Sequence, residues 1–259
     1  MKLHAATLSH IGRRANNEDA SLVCPQHRLF VVADGMGGYE GGEVASAIVV
    51  NAVSRFFSLN ASDADLTWPL GIDPMLSFVG NELRTAIVLA HRAVEAKKRG
   101  RLSQMGATVV AMVHEGPHGV IAHIGDSRAY RLRRGRLDRL TVDHSYTEML
   151  RAAGIDDVPP GCGHIVTRAV GKAQEGPPEM TPIELQDGDR YLLCSDGVSD
   201  VLDDVELETL LAEERTPKAQ CERIARNAYA AGGQDNITAL VIHAVAEPWL
   251  REVGDVDAH

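Results

Sequence analysis

Four aspartates occupy equivalent places in the sequence, each at the end of a predicted β-strand. They are Asp34 after LFVVA, Asp126 after VIAHIG, Asp196 after YLLCS and Asp235 just before NITALVIHA. Strands of one sheet bring such ends together, and several carboxylates in one place repel one another unless a cation neutralises them. Because hard oxygen ligands without a nearby Cys or His cluster suit Mg²⁺ or Mn²⁺ more than Zn²⁺, the pattern predicts a divalent-metal site.

Each aspartate alone has a simpler interpretation, because an Asp-Gly pair after a strand is usually a turn. Repetition favours the metal interpretation, since Asp34-Gly35 and Asp196-Gly197 share the same strand-then-DG form.

Other phosphate-binding motifs fail on spacing. The stretch after Asp34 has Glu40 where a dinucleotide fingerprint requires glycine, and it lacks the GK[ST] of a phosphate-binding loop.

The strands that would carry these carboxylates are predicted from short apolar runs that stop at turn signals. These runs cover 29–33, 120–124, 191–194 and 237–244, and a hairpin joins 129–132 to 137–140. Apolar residues at helical spacing predict helices over 43–57, 74–98, 205–214 and 217–231, whereas 60–73, 154–163 and 172–182 are predicted to be irregular. This arrangement predicts helices packed outside a mostly antiparallel double sheet.

No internal repeat, low-complexity tract or linker divides the sequence. We therefore expect one domain over residues 1–246, followed by an acidic tail over 247–259, and a monomer.

Composition and charge limit the partners and the compartment. With 36 acidic and 26 basic residues among 259, the net charge is -10, which disfavours a nucleic-acid partner because phosphate backbones attract basic surfaces. The four cysteines lie far apart without a CxxC pair, which favours reduced structural thiols. The N-terminus lacks the apolar core of a signal peptide, and no run approaches the roughly eighteen apolar residues of a membrane span. We therefore expect a cytoplasmic protein without a membrane partner.

Eight short motifs occur in an order that resembles one known family. They are Asn17-Glu18-Asp19-Ala20, VVADGMGG at 31–38, Gly106-Ala107-Thr108, GDSR at 125–128, DHS at 143–145, TRAVG at 167–171, SDG at 195–197 and GGQDNIT at 232–238. From about residue 7 to 243 the chain is similar to the compact bacterial form of the metal-dependent protein serine/threonine phosphatases, the PPM or PP2C-like family. The resemblance implies an α+β fold, a four-layer α/β/β/α sandwich in which two mainly antiparallel β-sheets are flanked by helices.

The resemblance also implies a two-metal centre of Mn²⁺ or Mg²⁺ at one end of the sandwich, with a third metal left open. It places Asp34 between both metals, together with the backbone carbonyl of Gly35. Asp196 and Asp235 would hold the first metal, and Glu18 would act near the second metal, largely through water.

Further positions follow from the same resemblance. Asp126 matches the third-metal position described in bacterial members. Arg14 matches the family's phosphate-binding arginine, and a guanidinium fork suits two phosphoryl oxygens; the other interpretation of Arg14 is a solvated charge beside Arg13. Asn236 is expected either to hold Asp235 or a metal-bound water by hydrogen bonding, or to be a plain turn residue.

The general acid is where the sequence departs from the family. Relatives place a histidine where Met36 or Tyr39 stands. A tyrosine with an ordinary pKa of about 10 is poorly matched to neutral pH, so a metal-bound water is the preferred proton donor and His144 a weaker candidate. The segment 143–167 corresponds to the family's flap, which contacts the phosphoprotein substrate and would influence substrate choice.

These inferences predict a Mn²⁺- or Mg²⁺-dependent phosphatase that hydrolyses phosphoserine and phosphothreonine in bacterial proteins and opposes a Ser/Thr kinase. Two cations would lower the pKa of a bridging water, so that no protein nucleophile is needed. Catalysis is expected to depend on Asp34, Asp196, Asp235 and Arg14. The alternatives are a catalytically silent phosphoprotein-binding relative and a metal-stabilised structural domain. A small-molecule phosphoester also stays open as the substrate.

Overall fold

The structure is a computed structural model that describes residues 1–37, 41–63, 67–155, 162, 165–172 and 176–246. The strands in chain order are β1 (Lys2–His10), β2 (Asp19–Cys24), β3 (Leu29–Met36), β4 (Gly106–Ala107), β5 (Val109–Glu115), β6 (His118–Ile124), β7 (Arg128–Arg133), β8 (Arg136–Arg139), β9 (Glu179–Glu184), β10 (Arg190–Cys194) and β11 (Ile237–Val245). The helices are α1 (Gly41–Ser62), α2 (Phe78–Lys97), α3 (Tyr146–Ala152), α4 (Asp196–Ser199), α5 (Asp204–Ala212) and α6 (Pro217–Ala230).

Two antiparallel sheets form the centre of the molecule. The first has the strand order β1-β11-β10-β7-β8, and the second has the order β2-β3-β5-β6-β9, with β4 pairing β3. In the first sheet Cys194 of β10 pairs with Arg128 of β7 on one side and with Ala239 of β11 on the other. In the second sheet Asp19 lies directly opposite Asp34. These registers therefore place the strand ends that carry or flank the predicted site residues next to one another.

The core is divided among three layers of apolar contacts. Successive residues of β3 face opposite sides of the sheet, as a strand requires: Val31 and Ala33 pack against the α1 and α2 layer, whereas Phe30 and Val32 pack against the other sheet. Residues of α5 and α6, such as Leu207 and Ile224, cover the outer face of the first sheet. The four-layer α/β/β/α sandwich and the α+β class are thus confirmed.

Helix α1 is long and apolar enough, by length and composition, to cross a membrane. Its apolar side is buried in the protein, where Val49, Val53 and Phe57 belong to the same cluster as Val31 and Ile87. A helix that packs one face on a sheet and another on a neighbouring helix acquires an apolar composition for that reason. The position of α1 in the core therefore accounts for its composition.

Several predicted boundaries are wrong. Helix α2 begins at Phe78 instead of residue 74, because Ser77 caps its N-terminus by accepting a hydrogen bond from Gly80 N–H, and Met75 is 87% exposed. Helix α1 continues to Ser62, into the range 60–73 that was predicted to be irregular, and β9 begins within the range 172–182. The predicted tail over 247–259 and most of 154–163 lie outside the described residues, so the division at residue 246 stays a prediction.

Candidate metal centre

The predicted site residues meet in one cavity of about 440 Å³ between the ends of the two sheets. Its lining includes all seven of them: Arg14, Glu18, Asp34, Gly35, Asp126, Asp196 and Asp235. Met36, Gly37, Thr108 and Val166 also line it. The expected convergence of the four strand-end aspartates is therefore confirmed, while the role of each residue stays a prediction.

The two sheets contribute the carboxylates from different elements. Asp34 lies in β3, where its N–H donates to the Thr108 hydroxyl and its carbonyl accepts from Thr108 N–H. Asp126 lies in the tight connection from β6 to β7, after Gly125 with its φ of +108°. Asp196 is the first residue of α4 and is separated from β10 only by Ser195, and Asp235 comes just before β11. Each side chain therefore extends from a backbone that a sheet holds in place.

Close backbone contacts bring these elements together. A Cβ on Gly197 would lie 1.9 Å from the carbonyl oxygen of Asn236, so the start of α4 can touch the start of β11 only with glycine there. A Cβ on Gly35 would lie 2.0 Å from the carbonyl oxygen of Gly42. Gly35 N–H also donates to the Glu18 carbonyl at 3.0 Å. These contacts place Asp196 beside Asp235, and Asp34 beside Glu18.

The carboxylates perturb one another strongly. Burial, followed by repulsion from neighbouring carboxylates, raises the pKa of Asp126 to about 7 and the pKa of Asp196 to about 6. The same causes raise the pKa of Asp34 well above its ordinary value. Asp196 Oδ1 is buried without a hydrogen-bond partner among the described residues. Crowded, incompletely hydrogen-bonded oxygens of this kind fit divalent cations, whose charge removes the repulsion.

Asp19 belongs to the same cluster, although the sequence analysis assigned no role to it. Burial raises its pKa to about 7, and its Oδ2 accepts a hydrogen bond of 2.8 Å from the Ser195 hydroxyl. Its Oδ1 has no partner within the described part of the chain. A signal was present, because Asp19 follows Glu18 in the Asn17–Ala20 motif. Its importance became visible only with the strand pairing that sets it opposite Asp34.

Arg14 lies at the mouth of the cavity. Its Nη2 donates to Asp235 Oδ2 at 2.6 Å, and its side chain is 54% exposed. The ion pair attaches this half-exposed guanidinium to a carboxylate of the cavity, which favours the role of Arg14 in the cavity over a charge solvated beside Arg13. The remaining N–H groups are accessible to an anion that enters from solvent.

Asn236 is buried, and its side chain holds a loop. Its Oδ1 accepts from Glu18 N–H at 2.8 Å, and its Nδ2 donates to the carbonyls of Ile11 and Asn16. Asn236 also bonds the Asp235 carboxylate, as one of the two expectations had it, but through its backbone N–H, which donates to Asp235 Oδ1 at 2.8 Å. Asn236 therefore attaches the segment that carries Arg14 and Glu18 to the start of β11.

His144 holds the other side of the cavity. Its Nδ1 accepts from Gly125 N–H at 3.0 Å, and its backbone N–H donates to the Gly125 carbonyl. Because Nδ1 is an acceptor, Nε2 carries the proton and donates to Glu179 at 2.8 Å. His123, His144 and Glu179 are close enough to hold a metal ion. Because Nε2 of His144 carries a proton, these three residues form a poor metal site. His144 instead holds Gly125, the residue before Asp126, in place.

The identity of the general acid stays a prediction. Met36 lines the cavity and has no proton to donate. Tyr39, the other position where relatives have histidine, lies outside the described residues together with Gly38. The part of the flap that is described includes Val166, which lines the cavity.

The comparison with known proteins agrees with this site. The family description "Protein phosphatase 2C" matches residues 8–236, most of the chain. The chain belongs to the protein phosphatase 2C family. Among curated members of the family, the serine/threonine protein phosphatase PstP of Mycobacterium tuberculosis is 34% identical over 244 residues, which are 90% of this chain. The serine/threonine phosphatase stp of Listeria monocytogenes is 32% identical over 248 residues, 93% of this chain and 95% of the relative. The chain spans only 43% of the length of the mycobacterial relative.

Solved structures of the family match the fold. The catalytic domain of PstP in complex with two manganese ions superposes with a TM-score of 0.77 at 34% identity, covering 94% of this chain and 99% of that one. PppA of Pseudomonas aeruginosa, described as a key regulatory component of T6SS, superposes with a TM-score of 0.79 at 34% identity, covering 94% and 98%. Dependence on metal ions is therefore a property of the family to which the chain belongs.

Proposed function

We propose that this protein is a metal-dependent phosphatase that hydrolyses phosphoserine and phosphothreonine in proteins and opposes a Ser/Thr kinase. The observation that carries the proposal is the convergence of Glu18 and four aspartates on one cavity, with a guanidinium at its mouth. The names of the bacterial relatives point to the same activity. The intact carboxylate set favours catalysis over a silent phosphoprotein-binding relative.

The carboxylates of the cavity are the residues that would hold the metal ions. Asp34, Asp196 and Asp235, with Glu18 and the carbonyl of Gly35, would hold two divalent cations, and Asp126 is available for a third. When bound, these cations supply a water of low pKa as the nucleophile and neutralise charge that builds on the phosphoryl oxygens. We propose Mn²⁺ or Mg²⁺, because the donors are hard oxygens.

Arg14 binds the phosphoryl group from the solvent side. Asp235 engages its Nη2, so the guanidinium approaches the cavity in a fixed orientation and two further N–H groups can reach two oxygens of the substrate. Thr108 lines the cavity, but its hydroxyl is already bound to the Ser127 hydroxyl at 2.6 Å and to Asp34 N–H. This threonine is therefore not free to act as a nucleophile, which agrees with attack by water.

Phosphate release from a phosphothreonine peptide tests the proposal. We expect turnover with MnCl₂ that is abolished by excess EDTA and reduced at least about 100-fold in Asp196→Asn, since losing a metal ligand removes several kcal/mol of charge stabilisation. Asp138→Asn is the matched control, because Asp138 pairs with Arg131 on the β7–β8 hairpin. Wild-type protein that binds Mn²⁺ and gains thermal stability without turnover would support a binding or structural domain instead.

A further inference from the structure

A second cavity, of about 390 Å³, lies between β1 and α6. We refer to it as the β1/α6 pocket, and its lining is Leu8, His10, Glu222, Ala225, Arg226 and Tyr229. The rings of His10 and Tyr229 meet edge to face, with centroids 5.6 Å apart, and Tyr229 is 44% exposed. An exposed aromatic ring beside apolar groups offers a large contact area at a low entropic cost, which is typical of docking surfaces.

The pocket carries positive charge that the described residues do not neutralise. The Arg13 guanidinium lies over the Tyr229 ring, 5.4 Å from its centroid, and Arg226 lines the pocket. Among the described residues neither guanidinium has a carboxylate within 4.0 Å, although Glu222 also lines the pocket. Two arginines without an ion-pair partner in the described part of the chain are notable in a protein with a net charge of -10. Acidic side chains of a partner are the groups that complement them.

Short backbone contacts connect the β1/α6 pocket to the metal centre. His10 Nδ1 accepts from Gly12 N–H at 2.9 Å, and a Cβ on Gly12 would lie 1.9 Å from the carbonyl oxygen of Asp235, so one residue separates the His10 ring from the Asp235 backbone. On the other side, Gly232 N–H donates to the Tyr229 carbonyl. Gly232 also lines a depression of about 480 Å³ that includes Arg14 and Asp235.

We propose that the β1/α6 pocket binds the polypeptide of the phosphoprotein substrate, a few residues away from the phosphorylated side chain. A large apolar side chain of the substrate packs against Tyr229 and His10, and an acidic side chain pairs with Arg226 and Arg13. This inference rests on the proposed function and defines a substrate class for it, namely phosphorylated segments with apolar and acidic residues near the phosphosite.

Steady-state kinetics with MnCl₂ on two kinds of substrate test the inference. The first substrate is p-nitrophenyl phosphate, which is too small to reach the pocket. The others are two phosphothreonine peptides that are identical except that glutamates near the phosphosite are replaced by glutamines. Tyr229→Ala and Arg226→Glu are compared with the wild type. Arg134→Glu is the charge-matched control, because Arg134 lies in the β7–β8 turn, at the end of the sheet away from Arg128 and the cavity.

We expect the wild type to prefer the glutamate peptide. Tyr229→Ala and Arg226→Glu should raise the KM for that peptide about tenfold with little change in kcat, as for a hot spot that contacts only the partner. Arg226→Glu should also reverse the preference between the two peptides. All three variants should hydrolyse p-nitrophenyl phosphate at the wild-type rate, and Arg134→Glu should retain the wild-type KM for both peptides.

The contrary outcomes separate the two proposals. Wild-type protein that hydrolyses neither substrate would overturn the proposed function. Normal hydrolysis with an unchanged KM in Tyr229→Ala and Arg226→Glu would overturn the docking pocket alone, as would an equal loss on p-nitrophenyl phosphate in a folded variant. Fluorescence anisotropy of the labelled glutamate peptide tests binding independently of turnover, and unchanged binding in both variants would contradict the pocket. Gel filtration that showed a dimer broken by Arg226→Glu would assign the pocket to a second copy of the chain.

Discussion

Asn236 shows how much of the candidate site depends on one neutral side chain. It is 3% exposed, and its amide bonds Glu18 N–H, Ile11 C=O and Asn16 C=O, thereby holding both ends of the segment that carries Arg14. The partners lie 218 or more residues away in sequence. The sequence could therefore suggest that Asn236 mattered, but the groups it binds depend on the fold.

Replacing Asn236 by alanine should destabilise the protein. The substitution leaves a buried N–H and two carbonyls without their partner, and each unsatisfied group costs about 1–3 kcal/mol; we expect a loss of at least about 2 kcal/mol in the free energy of unfolding by urea. Asn51→Ala, on the exposed face of α1, is the control and should stay within about 0.5 kcal/mol of the wild type. Equal losses in the two variants would show that the Asn236 hydrogen bonds contribute no net stability.

At the scale of elements, the sequence predicted best what is buried on both faces. Strands β3, β6, β10 and β11 read as continuous apolar runs because one face packs on helices and the other on the second sheet. Strands β1 and β2 were missed because much of their surface is only partly buried, so their sequences lack such runs. Strand β5 was also missed, although its sequence VVAMV is an apolar run that is buried like those of the predicted strands. The start of α2 was misplaced because the apolar spacing continued through Met75, whereas the cap at Ser77 decides where the helix begins.

The contact between α4 and β11 is an element-scale requirement that glycine meets. Gly197→Ala would place a methyl group against the Asn236 carbonyl, so α4 has to move away from β11 and Asp196 away from Asp235. We expect a loss of about 1–3 kcal/mol in the free energy of unfolding and Mn²⁺ affinity weakened about 10- to 100-fold by calorimetric titration.

Gly71→Ala is the matched control for that prediction, because a Cβ at Gly71 meets no atom within 4 Å. It should leave both the free energy of unfolding and the Mn²⁺ affinity unchanged. Wild-type metal affinity in Gly197→Ala would indicate that the Asp196 and Asp235 side chains adjust without help from the backbone contact.

At the scale of the whole molecule, the fold buries several mutually repelling carboxylates where the two sheets meet. Burial, followed by repulsion from neighbouring carboxylates, raises the pKa of Asp126 to about 7 and of Asp196 to about 6, and raises the pKa of Asp34 well above its ordinary value. The sequence could predict this crowding, since four strand ends carry aspartate. The size of each pKa shift could not be predicted, because it depends on how deeply the fold buries each group.

The raised pKa values of these carboxylates predict how metal and pH act together on the stability of the protein. In the metal-free protein the folded pKa values of Asp126 and Asp196 lie above the 3.8 of an unperturbed aspartate, so the folded state binds more protons than the unfolded state between these values. The stability that protonation gives is fully present below about pH 4 and is lost as the pH rises through about 6 to 7. Metal binding to the ionised carboxylates opposes that loss.

The rise in melting temperature from EDTA to MgCl₂ should therefore be larger at about pH 8 than at about pH 5. Buried histidines have the opposite effect. Burial lowers the pKa of His243 to about 4, so this group destabilises the folded protein as the pH falls from about 6.5 to about 4. Their contribution is common to the metal-free and metal-loaded protein, so the difference between the two melting temperatures removes it. Asp196→Asn should reduce the metal-dependent rise. A rise that is the same at both pH values in the wild type would mean that the pKa values of these carboxylates are not raised in the metal-free fold.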